Sequence, residues 1–251
     1  MSDRPTVWIT RPQPGADRTA ATLAVAGYDP FLLPLTEIRA LDPGLHADEL
    51  RAFDAVAVTS ANALRHAPDG LVAALRGTPL YAVGDATASE AEARGFSRAM
   101  SARGAVDDLA DLIAERERPG AAILYLCGRT RTGDLEGKLA GKGFRASPAE
   151  TYSTDIVSHP TEYLHNALNR RAPRAVLFHS RLAAQTFAER ILPIFPQDFD
   201  KTAFLAMSPR VAEALPVALQ AQIAVAGEPT EPSLLATLRA TLPAAGTDLP
   251  G

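Results

Sequence analysis

The sequence predicts an α/β protein made of two similar halves, each with a parallel sheet covered by helices. Short, continuously apolar runs alternate along the chain with stretches in which apolar residues recur at helical spacing. Continuously apolar strands that alternate with helices are typical of parallel sheets buried on both faces. Sequence blocks of the first half also recur in the same order in the second half, which indicates an internal duplication.

The apolar runs define the predicted strands. The first run, 6–10, has the sequence TVWIT, and β-branched and aromatic residues of this kind favour strands. The run 144–154 is longer and alternates with polar residues, which is also strand-like. In chain order, the predicted strands cover 6–10, 31–35, 54–58, 80–83, 121–126, 144–154, 174–178, 203–206 and 223–225.

Helical stretches are predicted between these strands. Residues 15–26 place Ala20, Leu23 and Ala24 at helical spacing, and Gly95 stands where a helix over 85–94 would end. Further helices are predicted from about residue 60, over 107–115 and 132–141, and after each of the last three strands.

The duplication is visible in paired segments. Residues 55–60 (AVAVTS) match 175–180 (AVLFHS), and both segments precede a predicted helix. The other matching pairs are 82–85 with 206–209, 106–113 with 231–238, and 23–28 with 139–144. Because these pairs keep one order, we expect two α/β halves of about the same size.

Composition and charge exclude several classes of protein. The net charge of −4 and pI of about 5.8 leave no basic surplus for non-specific nucleic-acid binding. The single cysteine, Cys127, allows no intrachain disulfide, and no apolar run approaches the roughly 20 residues of a membrane span. The first residues lack a signal-peptide core, so we expect a cytoplasmic location. The Pro- and Gly-rich tail 243–251 is predicted to be disordered.

The residues that follow the strands form the candidate site, because open parallel sheets bind ligands beyond the carboxyl ends of their strands. Hydroxyls and N–H groups at helix starts favour anions, and arginine pairs with carboxylates or phosphates. A helix cap explains Ser60 equally well, and each arginine taken alone is typical of a solvated surface. The candidate binding residues are Arg11, Thr59, Ser60, Asn62, Gly84, Arg129, His179, Ser180, Arg181, Ser208 and Arg210.

Other motif matches fail because of their context. Residues 141–146 fit G-x-G-x-x-A but join a helix to a strand, the reverse of a dinucleotide site, so we interpret them as a helix end. Gly128 and Gly133 have P-loop spacing, but Asp134 follows instead of lysine. The histidines lack the spacing of metal ligands, and we interpret Cys127 as a core residue.

A set of segments that spans nearly the whole chain carries a family resemblance. The segments are Ile9-Thr-Arg-Pro12, Val58-Thr-Ser-Ala-Asn-Ala63, Ala82-Val-Gly-Asp-Ala-Thr-Ala88, 139–144 running into Glu150-Thr-Tyr-Ser-Thr154, and Glu231-Pro-Ser-Leu-Leu-Ala-Thr-Leu238. Together they resemble the uroporphyrinogen-III synthase family. The chain departs from that family at 179–182, where a TSPS-type turn is common, and at 207–211, where a glycine and paired threonines are frequent.

The resemblance implies two flavodoxin-like domains joined by a two-stranded antiparallel connector, with the active site in the cleft between them. One domain is expected to comprise 1–36 and 155–251, and the other 37–154. The connectors are expected near 36–39 and 150–155.

The resemblance also implies a lyase that cyclises hydroxymethylbilane, a linear tetrapyrrole, to uroporphyrinogen III in haem biosynthesis. Ring D would be inverted through a spiro intermediate, with Tyr152 as the proton donor and the candidate binding residues holding the substrate. No cofactor or metal is expected. We expect a monomer that takes its substrate by transient hand-over from hydroxymethylbilane synthase.

Two other functions stay open on the sequence. The chain can be a bilobal binding or sensor protein that closes around an anionic metabolite or tetrapyrrole, with hinges at 36–39 and 152–155. It can also be a tetrapyrrole-binding protein whose altered C-terminal turns have removed its activity.

Overall fold

The chain forms two compact α/β units. The computed structural model describes residues 4–131 and 133–244. Unit 1 comprises Met1–Glu37 and Asp155–Gly251, and unit 2 comprises Ile38–Thr154. Each unit contains a sheet of mainly parallel strands packed against helices, which confirms the predicted fold class.

Strands and helices alternate along the described chain. The strands are β1 (Thr6–Ile9), β2 (Asp29–Leu32), β3 (Thr36–Ala40), β4 (Ala55–Val58), β5 (Leu80–Ala82), β6 (Ala99–Ser101), β7 (Ala122–Gly128), β8 (Arg145–Ile156), β9 (Ala175–Phe178), β10 (Ala203–Ala206) and β11 (Ile223–Val225). The α-helices are α1 (Gly15–Val25), α2 (Ala47–Leu50), α3 (Ala61–Arg65), α4 (Asp69–Leu75), α5 (Asp85–Ala93), α6 (Val106–Arg116), α7 (Leu135–Gly141), α8 (Thr161–Arg171), α9 (Arg181–Arg190), α10 (Pro209–Ala212) and α11 (Glu231–Thr241). Short 3₁₀ helices cover Pro196–Phe199 and Val217–Gln222.

The sheet of unit 1 has the strand order β2-β1-β9-β10-β11, and its neighbouring strands are parallel. Trp8 in β1 pairs with Phe31 on one side and with Val176 on the other, so β1 lies inside the sheet. Numbered within the unit, this order is 2-1-3-4-5, the flavodoxin-like arrangement. The carboxyl ends of β1 and β9 therefore meet at the point where the strand order reverses.

The sheet of unit 2 has the strand order β3-β8-β7-β4-β5-β6. The five strands from β8 to β6 are parallel to their neighbours, and β3 is added at the edge beside β8. If β7 is counted as the first strand, these five strands repeat the order of unit 1. The shared order accounts for the repeated blocks of sequence, and it places the switch point of unit 2 between β7 and β4.

Aromatic side chains fill one face of the sheet in unit 1. The ring of Phe187 in α9 stands 5.0 Å from Phe199 and 5.3 Å from Phe178, in edge-to-face contact with both. Trp8 meets Phe199 at 5.9 Å, and all of these side chains are fully buried. The aromatic core thus joins β1, β9 and α9, the elements that lead to the switch point.

Both faces of the sheet in unit 2 are buried by the alternation of side chains along each strand. Val56 and Val58 of β4 pack into one apolar cluster with Leu124 and Leu126 of β7. Ala55 and Ala57 point the other way and pack with a second cluster around Tyr81 and Tyr125. Because every residue of β4 is buried, this strand is continuously apolar, as the sequence pattern indicated.

Side-chain caps fix the helices that begin at the strand ends. Ser60 directly precedes α3, and its Oγ accepts a hydrogen bond from the N–H of Asn62 at 3.3 Å. Ser180 directly precedes α9, and its Oγ accepts a hydrogen bond from the N–H of Ala183 at 3.2 Å. The two caps stand at the same place in the repeated segments 55–60 and 175–180.

The prediction of a strand over 31–35 is wrong at its end. β2 stops at Leu32, and β3 begins only at Thr36. Pro34 lies between them, and proline has no N–H group for a strand ladder. Leu33 and Leu35 are nevertheless buried, which explains why the apolar run extended past the strand.

The helix predicted over 132–141 begins later. Asp134 accepts the N–H of Gly137 at 2.8 Å and caps α7, which starts at Leu135. Residue 132 lies outside the described residues. The interpretation of 141–146 as a helix end is confirmed, because α7 ends at Gly141 and Gly143 has a φ of +83°.

Several elements were not predicted from the sequence. These are β3, which the sequence marked only as part of a connector, together with β6, α2, α4 and α8. β6 has three half-buried residues, and α8 buries only Leu164, Ala167 and Leu168, so neither gives a strong apolar pattern. Within residues 4–131 and 133–244, no helix is long and apolar enough to cross a membrane. Of the predicted disordered tail, residues 245–251 lie outside the described residues.

We expect Phe187→Ala to lower the free energy of unfolding of unit 1 by about 3–5 kcal/mol, because it opens a cavity in the aromatic core. Urea unfolding followed by the fluorescence of Trp8, the only tryptophan of the chain, measures this unit directly. Ile194→Ala is the control. Because Ile194 is 48% exposed, this variant should lower the free energy of unfolding much less. Equal unfolding midpoints for the two variants would contradict the prediction.

Candidate functional site

A cavity of about 450 Å³ opens in unit 2 at the carboxyl ends of β4 and β7. These neighbouring strands form the switch point of the sheet, where open α/β folds bind their ligands. The lining residues are Thr59, Ser60, Val83, Ala105, Val106, Tyr125, Gly128, Thr130, Arg131 and Tyr152.

Tyr152 reaches this cavity through an irregularity in strand pairing. Cys127 pairs with Glu150, but Gly128 pairs with Tyr152, so β8 carries one extra residue at this point. The tyrosine ring then lies against Gly128, where a Cβ atom would stand 2.6 Å from the ring Cζ. Glycine is therefore needed at position 128 for the Tyr152 ring to keep its place. The Arg129 N–H also donates a hydrogen bond to the Tyr152 carbonyl at 2.8 Å, which holds the backbone of β8 at this point.

Two further hydroxyl groups belong to the same cavity. The hydroxyls of Thr59 and Tyr125 are 2.7 Å apart and share a hydrogen bond. Burial raises the pKa of Tyr125, although the bond to Thr59 acts in the opposite direction. Tyr125 therefore stays protonated at neutral pH, and the cavity offers neutral hydroxyl groups that can donate or accept.

Arg131 lines this cavity and also a second one of about 390 Å³. Its guanidinium lies 3.4 Å from Glu136 and 3.4 Å from Glu150, and 3.6 Å from Cys127 Sγ. Arg129 lines the second cavity and also contacts Glu150, at 3.3 Å. Burial raises the pKa of Cys127, so the thiol is protonated and buried, which confirms its interpretation as a core residue.

In unit 1, a charged cluster stands at the carboxyl ends of β1 and β9. The carboxylate of Glu231, the first residue of α11, accepts a hydrogen bond from Arg11 Nη1 at 2.7 Å and another from the Thr19 hydroxyl at 2.5 Å. His179 Nε2 lies 2.8 Å from the same carboxylate oxygen as Arg11. The Arg11 guanidinium lies directly over Gly15, where a Cβ would collide with its Nε. The cluster thus joins β1, α1, β9 and α11.

The electrostatics of this cluster determine its protonation. Burial alone would raise the pKa of Glu231, but hydrogen bonds from His179 and Thr19 and the charge of Arg11 lower it to about 2. Burial lowers the pKa of His179, so its ring is neutral at pH 7. Because an ionised carboxylate only accepts, His179 carries its proton on Nε2. Burial also lowers the pKa of Arg11, which remains charged.

The structure brings some of the predicted site residues together and leaves others apart. Thr59, Ser60 and Tyr152 meet around the cavity of unit 2, and Arg11 and His179 meet on Glu231 in unit 1. The side-chain oxygen of Asn62 accepts a hydrogen bond from Arg65 at 3.5 Å, and Asn62 does not line the cavity. The others are at helix starts or on the surface: Gly84, Ser180 and Ser208 precede helices, and Arg181 and Arg210 are exposed.

Sequence reasoning missed Tyr125, Val106 and Glu231 as members of these sites. The duplication could have indicated Val106 and Glu231, because they are the first residues of the matching segments 106–113 and 231–238. Val106 lines the cavity of unit 2, and Glu231 binds Arg11 in unit 1. Among the residues that the structure describes, no three His, Cys, Asp or Glu side chains are grouped to hold a metal ion.

Replacing Glu231 tests the cluster through the pH dependence of stability. The folded-state pKa of about 2 lies below the ordinary value of 4.5, so the carboxylate stabilises the chain above pH 4.5 and loses this effect as the pH falls towards 2. We expect Glu231→Gln to be less stable at pH 7 by about 1–3 kcal/mol, and to lose less stability than the parent on acidification.

Urea unfolding followed by Trp8 fluorescence at several pH values provides the measurement. Glu228→Gln is the matched control, because Glu228 is an exposed carboxylate three residues away. Parallel curves of stability against pH for the Glu231 variant and the parent would refute the assignment.

The chain matches a family model over most of its length. The model described as Uroporphyrinogen-III synthase HemD matches residues 17–236. No curated protein matches the chain.

Solved structures show the same fold. The uroporphyrinogen-III synthetase of Helicobacter pylori 26695 has a TM-score of 0.62 at 19% identity, and the match covers 93% of this chain and 97% of that one. A mutant uroporphyrinogen III synthase of the extremely thermophilic bacterium Thermus thermophilus has a TM-score of 0.57 at 19% identity, covering 94% and 98%. On the extent of the family match, the chain belongs to the uroporphyrinogen-III synthases, the cyclising lyases of haem biosynthesis.

Proposed function

We propose that this chain converts hydroxymethylbilane to uroporphyrinogen III and that the cavity of unit 2 holds the reacting end of the substrate. Membership of the family supports the reaction. The single observation that supports the placement is the cavity at the switch point, which gathers the hydroxyl-bearing residues Tyr152, Tyr125 and Thr59. Its position is the one where parallel α/β sheets bind ligands.

The chemistry of the substrate explains why such a site is sufficient. The linear tetrapyrrole closes without an enzyme to the uninverted isomer, so the catalyst must favour one geometry of the chain. A strong nucleophile is not required for this task. Hydroxyl groups and arginines that hold a flexible polycarboxylate in one shape are suited to it.

The proposed steps assign Tyr152 a proton transfer. Its hydroxyl gives a proton to the departing hydroxyl of ring A, water leaves, and an azafulvene forms. The substituted α-carbon of ring D attacks this azafulvene and gives the spiro intermediate. The bond between ring D and the methylene of ring C then breaks, which leaves a second azafulvene on ring C. Ring D turns over and its free α-carbon attacks this azafulvene to close the macrocycle. That carbon then loses its proton to the deprotonated Tyr152, which restores the hydroxyl.

The other side chains position the substrate in this scheme. The hydrogen bond between Thr59 and Tyr125 keeps two hydroxyls fixed in the cavity, ready to orient the reacting end. Arg129 lies beside Arg131 at the second cavity and supplies charge for substrate carboxylates. The remaining proposed contacts are Arg11, Ser60, Asn62, Gly84, His179, Ser180, Arg181, Ser208 and Arg210.

We also propose the domain limits 1–36 plus 155–251 and 37–154, with an antiparallel connector near 36–39 and 150–155. Two backbone hydrogen bonds support the connector: Leu41 donates to Thr151, and Val157 donates to Leu35. As one segment advances from 35 to 41, its partner runs back from 157 to 151, which is the order of an antiparallel pair.

Family membership supports a tetrapyrrole substrate, and three finer points are our proposals. The first of these is that the chain acts as a monomer. Spontaneous closure of the substrate to the wrong isomer supports a transient hand-over from hydroxymethylbilane synthase. The single cysteine, which allows no intrachain disulfide, supports a cytoplasmic location.

Product isomer analysis tests the proposed function. The chain is given freshly made hydroxymethylbilane, the products are oxidised, and the isomers are separated by chromatography. We expect a clear excess of isomer III over a reaction without protein. The spontaneous isomer mixture would instead favour a non-catalytic binding or sensor protein.

Tyr152→Phe tests the proton donor. General acid assistance is typically worth about 10²–10⁴-fold, so we expect kcat to fall by that range while isomer III is still formed. Tyr163→Phe is the control, because Tyr163 is a half-exposed tyrosine of α8 in unit 1. An unchanged kcat for Tyr152→Phe would exclude the acid role.

A further inference from the structure

His179 carries an unexplained polar atom. Its side chain is only 7% exposed, and Nε2 is bonded to Glu231, but Nδ1 is buried and has no hydrogen-bond partner among residues 4–131 and 133–244. A buried polar atom without a partner destabilises the fold, so each one in a folded protein needs an explanation, of which a ligand is one. The atom stands directly after β9, at the switch point of unit 1.

The cluster around His179 defines what Nδ1 can bind. Glu231 is ionised and accepts a hydrogen bond from the Nε2–H of His179, so Nδ1 presents a lone pair and acts only as an acceptor. A carboxylate offers no donor to such an atom. Arg11 touches the same carboxylate oxygen of Glu231, so a fixed acceptor stands beside a fixed guanidinium.

We propose that His179 Nδ1 accepts a hydrogen bond from a pyrrole N–H of the substrate, while the remaining N–H groups of Arg11 bind a carboxylate of that substrate. This inference rests on the proposed function and deepens it, because it gives His179 a contact other than a carboxylate. A carboxylated pyrrole offers one donor and one acceptor close together, which complements the pair. Glu231 is then a positioning residue that fixes both partners.

The duplication supports the location independently. His179 occupies the place of Thr59 in the repeated segments 55–60 and 175–180, and Glu231 occupies the place of Val106. Thr59 and Val106 both line the cavity of unit 2. The charged cluster therefore occupies in unit 1 the position that the cavity occupies in unit 2. Nδ1 is covered in the free chain, so the proposed contact requires neighbouring side chains to move aside while Glu231 keeps the imidazole in place.

His179→Gln separates recognition from structure. A glutamine amide can keep the donor to Glu231 but has no acceptor at the position of Nδ1. We expect kcat/KM for hydroxymethylbilane to fall about tenfold, the value of one lost hydrogen bond, while the unfolding midpoint stays equal or rises. His165→Gln is the matched control, since His165 is an exposed histidine of α8, and should behave as the parent.

The outcomes distinguish this proposal from the proposed function. A His179→Gln variant with raised stability and unchanged kcat/KM would overturn the proposal, because Nδ1 would then be only a structural cost or a site for buried water. The ¹⁵N resonance of His179 Nδ1 should move upfield when uroporphyrinogen III is added without oxygen, and an unmoved resonance would also overturn it. A parent chain that yields no isomer III refutes the proposed function, whereas the resonance still reports on the contact.

Discussion

Backbone pairing between β4 and β7 is the constraint that creates the site of unit 2. Ala55 to Val58 pair in parallel with Ile123 to Leu126, and all eight residues are buried, so the register cannot slip without exposing apolar side chains or burying polar ones. Parallel pairing places both carboxyl ends at one edge. The residues that leave these ends, which include Thr59 and Gly128, then stand on either side of one cavity.

A second constraint turns this edge into a specific site. The extra residue in β8 rotates the strand so that Tyr152 lies on Gly128, and no larger residue than glycine leaves room for the ring. The hydroxyls of Thr59 and Tyr125 are held by each other, not by charged partners. Hydroxyls held in this way suit the function proposed above, because fixed groups orient a substrate and transfer a proton at low cost in reorganisation.

The two units have kept one topology and diverged at the same place. Unit 2 has an open cavity between its central strands, whereas unit 1 has a cluster in which Glu231 holds Arg11, Thr19 and His179. The difference follows from single residues at matching positions, Thr59 against His179 and Val106 against Glu231. A duplicated fold can therefore give one half a polar, neutral site and the other half a charged one without altering a strand.

Local sequence patterns were enough to predict the fold class and most strands, because continuous apolar runs and repeated blocks are visible without any knowledge of distant contacts. The family was predicted separately, from the resemblance of segments spread along the chain. The local patterns also indicated which strand ends carry polar residues. Three residues that the sequence predicted for a site between two domains, Thr59, Ser60 and Tyr152, line one cavity of unit 2. The shift in register beside Gly128, the pairing of Tyr125 with Thr59 and the capture of Arg11 by Glu231 became visible only in the folded chain. These contacts join residues far apart in the chain, and their geometry arises from sheet register and burial, which no local pattern encodes.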